Sequence, residues 1–438
     1  MGAVIDLKRI RQDPEGFRAS VARKHEPGAD EALARLLVAD RDRRTLLAEV
    51  ERLRAERNAE SAEVGRRKQA GAGTDDIGPA LERLRATGER LSALERDLAP
   101  LDELIDELAL AIPNCPDAIV PDGADQAGNV EVRRVGEPAR PGGPTSPHWE
   151  LGTRLGLFDF ERAAKISGSR FTVFTGAGAR LVRGLVSFMI DLHVDQHGCT
   201  EVLPPFVVST ASMRATGQLP KFAADAFPVA EADLWLVPTA EVPVTNLYRG
   251  EILQFEVLPI RHVAYTPCWR SEAGAAGRDT RGLIRQHQFD KVEIVHFVAP
   301  EDSERHLEEI VQAAEATLSV LALPYRVVEM CCGDLGFAQA RKYDLEVWMP
   351  SYGRYVEISS CSNYRDFQAR RGNIRFRRSP RSAVDFVHTL NGSALAVGRT
   401  LAAIVENHQT ADGTVVLPTA LADVVGCREL TPRAPAAG

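Results

Sequence analysis

The sequence has no hydrophobic run long enough to cross a membrane. None of the apolar stretches in its 438 residues approaches the roughly 18 residues that a membrane-spanning helix needs. The N-terminus, MGAVIDLKRIRQDPEGF, also lacks the apolar core of a secretory signal peptide. We therefore expect a cytoplasmic protein.

Paired cysteines are also missing. The seven cysteines are odd in number and scattered, and none forms a CxxC pair. This pattern argues against a disulfide framework and against a cysteine-based structural zinc site. His193 and His197 share one face of a predicted helix, but they lack the glutamate of an HExxH motif, so we interpret them as structural.

An excess of positive charge is absent as well. There are 61 acidic against 53 basic residues, which gives a net charge of −8. The surface as a whole therefore does not attract nucleic acid, and any RNA contact requires a local basic stripe. The apolar fraction of 44% and the chain length are sufficient for two or three globular domains.

The N-terminal part, residues 1–112, has the pattern of a helical domain. Apolar residues follow a 3,4 spacing from Leu91 to Ile112, and the glycine-rich QAGAGTDDIGP separates this run from an earlier one. The pattern predicts two long helices folded into an antiparallel coiled coil over about 30–110, with a cap at Thr74 or Asp75. Pro100 predicts a kink. The basic residues near the turn between these two helices either form a solvent-exposed charged face or contact RNA.

The remaining chain divides into three predicted segments. Residues 113–148 are rich in proline and glycine and are expected to be a linker. Residues 149–420 alternate strand-like runs with a few helices and show no βαβ regularity, which predicts an α+β domain on a mixed, mainly antiparallel sheet. Residues 421–438 end in alanine and proline, and we expect a disordered tail.

A helix and a strand open the α+β domain. Residues 179–198 are amphipathic and end at Gly198, as a helix does. The following TEVLPPFVV contains Pro204 and Pro205, which predict an edge strand because proline cannot donate a backbone hydrogen bond.

The segment TPCWRSEAGAAGRDTRGLIRQHQFDKVE, residues 266–293, is the richest in chemistry. Apolar residues on either side predict two strands joined by a polar, glycine-rich loop. Its arginines are Arg270, Arg278, Arg281 and Arg285, and a guanidinium binds phosphate oxygens in two places at once. The residues alone leave two interpretations open: an anion-binding loop, or a solvated hairpin with surface ion pairs.

Two later segments also combine strands with polar groups. In VEISSCSNYRDFQARR, residues 356–371, a carboxylate lies beside hydroxyls, a pairing that suits Mg²⁺; the alternative is an acid paired with Arg370 or Arg371. In HTLNGSALAVGRTLAAIVENHQ, residues 388–409, the glycine spacing is wrong for a P-loop and Arg399 stands where lysine is needed.

These motifs resemble the seryl-tRNA synthetases of the bacterial type, which are class II synthetases. CWRSEAG, GRDTRGLIR and HQFDKVE resemble motif 2. The helix with its proline-bearing strand resembles motif 1, the dimer-forming element, and residues 388–409 resemble motif 3. TGQLPKF and VPTAEVPVTN are also similar to the family, and the resemblance extends over residues 1–415.

The resemblance implies the following fold, activity and partners. A helical arm that binds the long variable arm of tRNA(Ser) precedes a class II catalytic domain, and two chains form a homodimer. The enzyme attaches L-serine to tRNA(Ser), and to tRNA(Sec) where present, through a seryl-adenylate made from ATP with Mg²⁺.

The resemblance also implies the roles of individual residues. The catalytic residues are Arg270, Arg399 and Glu357. Serine is bound by Thr239, Ala240, Glu241, Glu293 and Ser393. ATP is bound by Arg270, Ser271, Glu272, Gln286, Phe289, Glu357, Ile358, Ser359, Ser360 and Arg399, and Mg²⁺ by Glu357 and Ser360.

Four positions depart from the common bacterial pattern. Ala394 replaces glycine, Cys332 and Lys342 replace threonine, and Cys199 replaces tyrosine. A methyl group at Ala394 is expected to narrow the space near Ser393. These departures keep open a specialised second synthetase, for inhibitor resistance or biosynthetic supply. A separate alternative is a synthetase-like relative that binds tRNA without catalysis, or one that charges a carrier protein.

Overall fold

The computed structural model describes residues 4–71, 73–138, 143, 145–273 and 281–432. Arg278 and Asp279 of the arginine-rich loop lie outside these ranges. Among the residues described, no helix combines the length and the apolar composition that crossing a membrane requires. The chain divides into a helical unit of residues 4–22 and 26–113 and a larger unit of residues 23–25 and 114–432.

The helices of the described chain are, in order, α1 Leu7–Gln12, α2 Pro14–Ala22, α3 Ala29–Gln69, α4 Thr74–Leu110, α5 His148–Arg154, α6 Phe160–Ser167, α7 Ala177–His197, α8 Thr210–Ala215, α9 Glu241–Thr245, α10 Ser303–Val320, α11 Phe367–Gly372, α12 Val397–Asn407 and α13 Thr419–Val425.

The strands are β1 Val130–Val135, β2 Phe158–Asp159, β3 Val173–Phe174, β4 Thr200–Glu201, β5 Val207–Ser209, β6 Leu234–Leu236, β7 Ile252–Gln254, β8 Ile260–Trp269, β9 Gln288–Val298, β10 Tyr325–Glu329, β11 Arg341–Met349, β12 Arg354–Asn363, β13 Arg375–Arg377, β14 Val384–Phe386, β15 His388–Ala396, β16 Val415–Val416 and β17 Glu429–Leu430.

The helical unit contains the predicted arm. Helices α3 and α4 pack along an apolar seam in which Val50, Leu53, Leu91 and Leu94 are buried. Ion pairs join Arg54 to Glu95 at 2.7 Å and Arg83 to Glu60 at 2.6 Å. Because the later residue on α3 pairs with the earlier one on α4, the two helices are antiparallel.

The start and the interior of α4 bear on two predictions. Gly73 is the N-cap residue, and its N–H donates to the Asp76 carboxylate at 3.2 Å. The side chains of Thr74 and Asp75, the predicted caps, lie outside what the structure describes. Helix α4 continues through Pro100, so the kink there stays a prediction.

The larger unit is built on an eight-stranded sheet. Its strand order is β1-β10-β11-β12-β15-β9-β8-β4, and every pairing is antiparallel except that of β4 with β8. The predicted mixed, mainly antiparallel sheet is confirmed. Strands β8 and β9 form the predicted hairpin around the arginine-rich loop, with Trp269 opposite Gln288.

The two faces of this sheet have different surroundings. Successive side chains in a strand point to opposite faces. On β9, Val292 and Ile294 belong to the main core with residues of α7, α10 and α12, whereas Val295 and Phe297 belong to a second cluster. The polar residues of β9 that alternate with the main core therefore share a face with this second cluster.

Parts of two segments that were expected to be irregular form regular structure. Strand β1, within the predicted linker 113–148, pairs with β10 at the sheet edge, so the linker prediction is wrong there. The tail prediction is wrong for 421–432, because α13 buries Leu421, Ala422 and Val425. Leu421 and Val425 lie four residues apart, which places them on one face of this helix. Residues 433–438 lie outside the described chain.

The predicted edge strand TEVLPPFVV is interrupted. Only Thr200 and Glu201 pair with β8 at the edge of the main sheet, and Val207–Ser209 pair with β6 in a separate two-stranded sheet. Pro204 and Pro205 lie between the two pieces, where neither can donate to a ladder. Helix α7 ends as predicted, with Gly198 in the left-handed conformation at φ 64°.

Candidate active site

A cavity of about 590 Å³ opens on the face of the sheet opposite to the main core. Alternation along the strands places polar side chains there: Lys291 and Glu293 from β9, Ser360 from β12, and Asn391 and Ser393 from β15. Their neighbours Val292, Ile294, Cys361 and Ala394 face the main core. The pleat of three adjacent strands thus produces a polar wall on an apolar layer.

Two buried carboxylates form the floor of this cavity. The Asn391 side-chain amide donates to Glu241 and to Glu293, at 2.9 Å in both cases. Ser393 donates its hydroxyl to Glu293 at 3.1 Å, and Lys291 Nζ lies 2.6 Å from the same carboxylate. Every polar contact here stabilises negative charge in a water-poor space.

Glu241 holds its proton more tightly than an ordinary glutamate does. Burial is the main cause, and the neighbouring charge of Glu293 adds to it; together they raise the pKa of Glu241 to about 7. The amide of Gln368, which donates at 2.5 Å, acts in the opposite direction. The floor therefore changes its charge near neutral pH.

Two arginines lie at the other part of the cavity. Arg270 follows β8, donates Nε–H to the Pro238 carbonyl at 3.2 Å, and lies over the ring of Phe289 at 5.2 Å. Arg399, in the first turn of α12, donates Nε–H to the Ile284 carbonyl at 3.0 Å. Backbone carbonyls on short, ordered segments thus fix the direction of both guanidinium groups.

A second acidic group lies beside Arg399. The Arg399 guanidinium donates to the Glu357 carbonyl at 2.6 Å and lies 3.8 Å from the Glu357 carboxylate. Desolvation raises the pKa of Glu357, but the positive charges of Arg399 and Lys342 outweigh it and lower that pKa below its ordinary value. Glu357 is therefore ionised at neutral pH.

An ion pair of Lys342 and Asp344 adjoins Glu357. Their charged atoms lie 3.1 Å apart. Burial raises the pKa of Asp344 to about 7 although Lys342 opposes it, whereas Asp344 overcomes the effect of burial on Lys342 and raises its pKa to about 12. A lysine thus offsets part of the negative charge next to Glu357.

The ends of the arginine-rich loop are held by one contact within the loop and one from outside the hairpin. Glu272, at φ 52°, forms an ion pair with Arg285. The Leu283 N–H donates to His148 Nε2 at 2.9 Å, and His148 Nδ1 lies 2.7 Å from the buried carboxylate of Glu406. The returning half of the loop is therefore anchored through α5 to α12.

The comparisons with known proteins cover nearly the whole chain. Residues 4–116 match the seryl-tRNA synthetase N-terminal domain, and residues 228–408 match the tRNA synthetase class II core domain (G, H, P, S and T). Proteins named serine–tRNA ligase from Clostridium tetani and Caldicellulosiruptor bescii are 51% and 54% identical to it. The alignments cover 98% and 97% of this chain and 100% and 99% of those proteins.

The chain belongs to the seryl-tRNA synthetase family. Solved structures agree: seryl-tRNA synthetase from Pyrococcus horikoshii complexed with ATP has a TM-score of 0.91 at 37% identity, covering 98% of this chain and 100% of that one. The cytoplasmic serine–tRNA ligase of Naegleria fowleri in complex with AMP has a TM-score of 0.84 at 27% identity, with 96% of each chain covered. The predicted family and fold are confirmed.

Most residues that the family resemblance singled out meet in one cavity. Those lining it are Thr239, Glu241, Arg270, Glu272, Gln286, Phe289, Glu293, Glu357, Ile358, Ser360, Ser393 and Arg399. Three others are not among its lining residues. Ala240 is fully buried, Ser271 donates its hydroxyl to the Ala224 carbonyl at 2.5 Å, and Ser359 is buried and donates to the Ser393 carbonyl at 2.5 Å.

Sequence reasoning missed four polar residues in and around this cavity. Lys291, Asn391, Gln368 and Lys342 contact the carboxylates described above. For Lys291 and Asn391 the signal was available, because each lies two residues from a predicted site residue on the same strand and therefore on the same face. Gln368 lies on α11, and no short-range pattern connects it with Glu241.

The expectation for Ala394 is wrong. Its side chain is fully buried in the main core, and Ala394 is not among the residues that line the cavity. The register of β15 shifts between Ser393 and Leu395, so a β-bulge surrounds this alanine while Ser393 still faces Glu293. A methyl group at position 394 therefore does not narrow the substrate space, and the argument for inhibitor resistance loses its basis.

The protonation of Glu241 predicts a pH-dependent stability of the ligand-free protein. Its folded pKa of about 7 lies above the ordinary 4.5, so its contribution is fully present below pH 4.5 and is lost as the pH rises through 7. Between pH 5 and pH 8 the loss is about 2 kcal/mol, because each tenfold change in proton affinity is worth about 1.4 kcal/mol.

Urea unfolding followed by tryptophan fluorescence measures this loss, since Trp149, Trp235, Trp269 and Trp348 all lie in the larger unit. The Glu241→Gln variant should gain stability over the wild type as the pH rises from 5 to 8. Glu429→Gln, at an exposed position, is the control. An equal pH dependence in wild type and Glu241→Gln would contradict the shifted pKa.

Proposed function

We propose that this protein catalyses the ATP-dependent attachment of L-serine to tRNA(Ser) through a seryl-adenylate. The observation that supports it most directly is the division of one cavity into two parts. An acidic floor of Glu241 and Glu293 suits a small amino acid, and Arg270 and Arg399 suit phosphates. Both chemistries are needed to join a carboxylate to the α-phosphate of ATP.

The floor accounts for the choice of amino acid. Two carboxyl groups share the single ammonium group of Lys291, which leaves an acid to pair with the ammonium group of the substrate. In this proposal Glu293 holds the ammonium group, and Thr239, Glu241 and Ser393 surround the side-chain hydroxyl. An analogue without that hydroxyl leaves these buried polar groups unpaired, which is costly.

The reaction proceeds in two transfers. The serine carboxylate attacks the α-phosphorus of ATP and pyrophosphate leaves; the terminal hydroxyl of tRNA then attacks the seryl carbonyl and AMP leaves. Arg270 neutralises charge at the α-phosphate and Arg399 at the leaving phosphates, while Phe289 stacks on the adenine and Glu272 accepts from its amino group. Catalysis is positioning and charge stabilisation, without a covalent enzyme intermediate.

The residues at the acidic group fit a magnesium ion. Glu357 is ionised, its side chain is 49% exposed, and Ser360 lines the same cavity. Carboxylate and hydroxyl oxygens are hard ligands of the kind Mg²⁺ prefers. Glu357 and Ser360 would hold the ion, whose contribution is to neutralise phosphate charge.

Partners and location follow from family membership as proposals. The α3–α4 arm would bind the long variable arm of tRNA(Ser), and of tRNA(Sec) where present. Helix α7 and strand β4 would pair two chains in a cytoplasmic homodimer.

A non-catalytic tRNA-binding relative does not need a complete cavity with Arg270, Glu357 and Arg399 in place. We therefore favour the synthetase activity.

Removing either arginine should slow serine activation. Arg270→Ala and Arg399→Ala should each cost about 3 kcal/mol in kcat/KM, which is more than a hundredfold, because each loses charge stabilisation in the transition state. Serine-dependent pyrophosphate exchange measures this step without tRNA. Arg162→Ala, at an exposed position outside the cavity, is the control. Near-normal exchange in both variants would remove the assigned roles.

The arm should affect charging but not activation. The last turn of helix α3 contains Arg66, Arg67 and Lys68, and replacing all three with alanine should raise the KM for tRNA about tenfold. The salt dependence of tRNA binding should also weaken, by about one unit of slope per lost phosphate contact. Measuring aminoacylation and pyrophosphate exchange in parallel separates tRNA charging from serine activation. An unchanged KM for tRNA would exclude this basic group as a contact.

A further inference from the structure

We propose that His296, His306 and Glu309 form a binding site for one divalent transition-metal ion such as Zn²⁺. His296 lies on β9, where alternation directs it away from the face of Glu293, and His306 and Glu309 lie one helical turn apart on α10. One ligand atom from each residue lies within 4.8 Å of the others. The proposed site is thus separated from the amino-acid floor by the sheet.

The distances between the three groups fit tetrahedral coordination. His296 Nδ1 lies 3.2 Å from His306 Nδ1, and His306 Nδ1 lies 3.0 Å from Glu309 Oε2. With metal–ligand bonds of about 2.0–2.1 Å, tetrahedral geometry places neighbouring ligand atoms about 3.3 Å apart. The ion therefore requires only small shifts of side chains that already converge.

A cavity gives access to this group. It has a volume of about 350 Å³, and its lining includes His296, Glu309, His197, Cys199 and Gln312. Water can complete the coordination from this side, as it does in sites where the protein supplies three ligands. The mixed nitrogen and oxygen donors select a transition metal over Mg²⁺, which prefers oxygen.

Arg261 is the competitor for the carboxylate. Its Nη2 lies 3.2 Å from Glu309 Oε2, the same oxygen that faces His306, and it lines the same cavity. Arg305 pairs with the other oxygen, Oε1, at 2.5 Å. A bound ion would displace Arg261 into the cavity, so removal of this guanidinium should strengthen metal binding.

Cobalt binding tests the site in the full-length protein. After removal of metals with a chelator, titration with Co²⁺ should give one ion per chain and the intense visible bands of four-coordinate cobalt. His296→Gln and Glu309→Gln should each weaken binding at least tenfold, and Arg261→Gln should strengthen it. Zn²⁺ should displace Co²⁺ and abolish the bands.

Two controls make the outcome decisive. His408→Gln replaces another histidine, which contacts the Leu321 carbonyl, and should bind cobalt like the wild type. Glu309 is partly exposed, so its substitution tests the site even if His296→Gln fails to fold. Absence of saturable four-coordinate cobalt, or a Glu309→Gln variant that binds cobalt as tightly as the wild type, would overturn the proposal. Cobalt that occupies only the proposed Mg²⁺ site would overturn it as well.

Discussion

The side-chain amide of Asn391 donates to Glu241 and Glu293 at once, and the rest of the cavity depends on this bridge. Two carboxylates buried together repel each other, and neither is stable without donors. Asn391 supplies one N–H to each, while Lys291 and Gln368 supply charge and a further donor. These donors do not fully offset burial and repulsion, so the pKa of Glu241 stays raised. A substrate with an ammonium group and a hydroxyl can relieve it.

The position of Asn391 depends in turn on the sheet. β15 lies between β12 and β9, with Asn391 opposite Val295 and Ser393 opposite Glu293. The bulge after Ser393 shifts the register by one residue, so that Ala394 and Leu395 enter the core and Ala396 returns to the cavity. Helix α12 then begins at Val397 and directs Arg399 to Glu357. One irregularity thus connects the acidic floor of the cavity to the part that contains Arg399.

The sequence predicted the parts of the fold that depend on local pattern. The 3,4 spacing from Leu91 to Ile112 located the second arm helix, and the apolar runs on either side of the arginine-rich loop located β8 and β9. Gly198 marked the end of α7. In each case neighbouring residues alone determine the structure, through helical periodicity or a backbone angle.

The predictions that failed, and the residues that were missed, depend on contacts between distant parts of the sequence. β1 was missed because its exposed side chains, such as Val130 and Val135, carry no burial pattern, and its order comes from hydrogen bonds to a distant strand. The tail was misjudged because α13 is stabilised by packing against α7, far away in sequence. Likewise, Gln368 and Lys291 meet the two acids only through tertiary contacts. The orientation of Ala394 required the bulge, which no short motif reveals.

In the proposed function, the floor of Glu241, Glu293, Asn391 and Ser393 selects its amino acid by the side-chain hydroxyl. The most direct measurement compares L-serine with L-alanine in ATP–pyrophosphate exchange by the wild-type protein. We expect a kcat/KM for alanine lower by about 10⁴-fold, since alanine would leave buried donors and acceptors unpaired. Activation of alanine within about tenfold of serine would contradict selection by the hydroxyl.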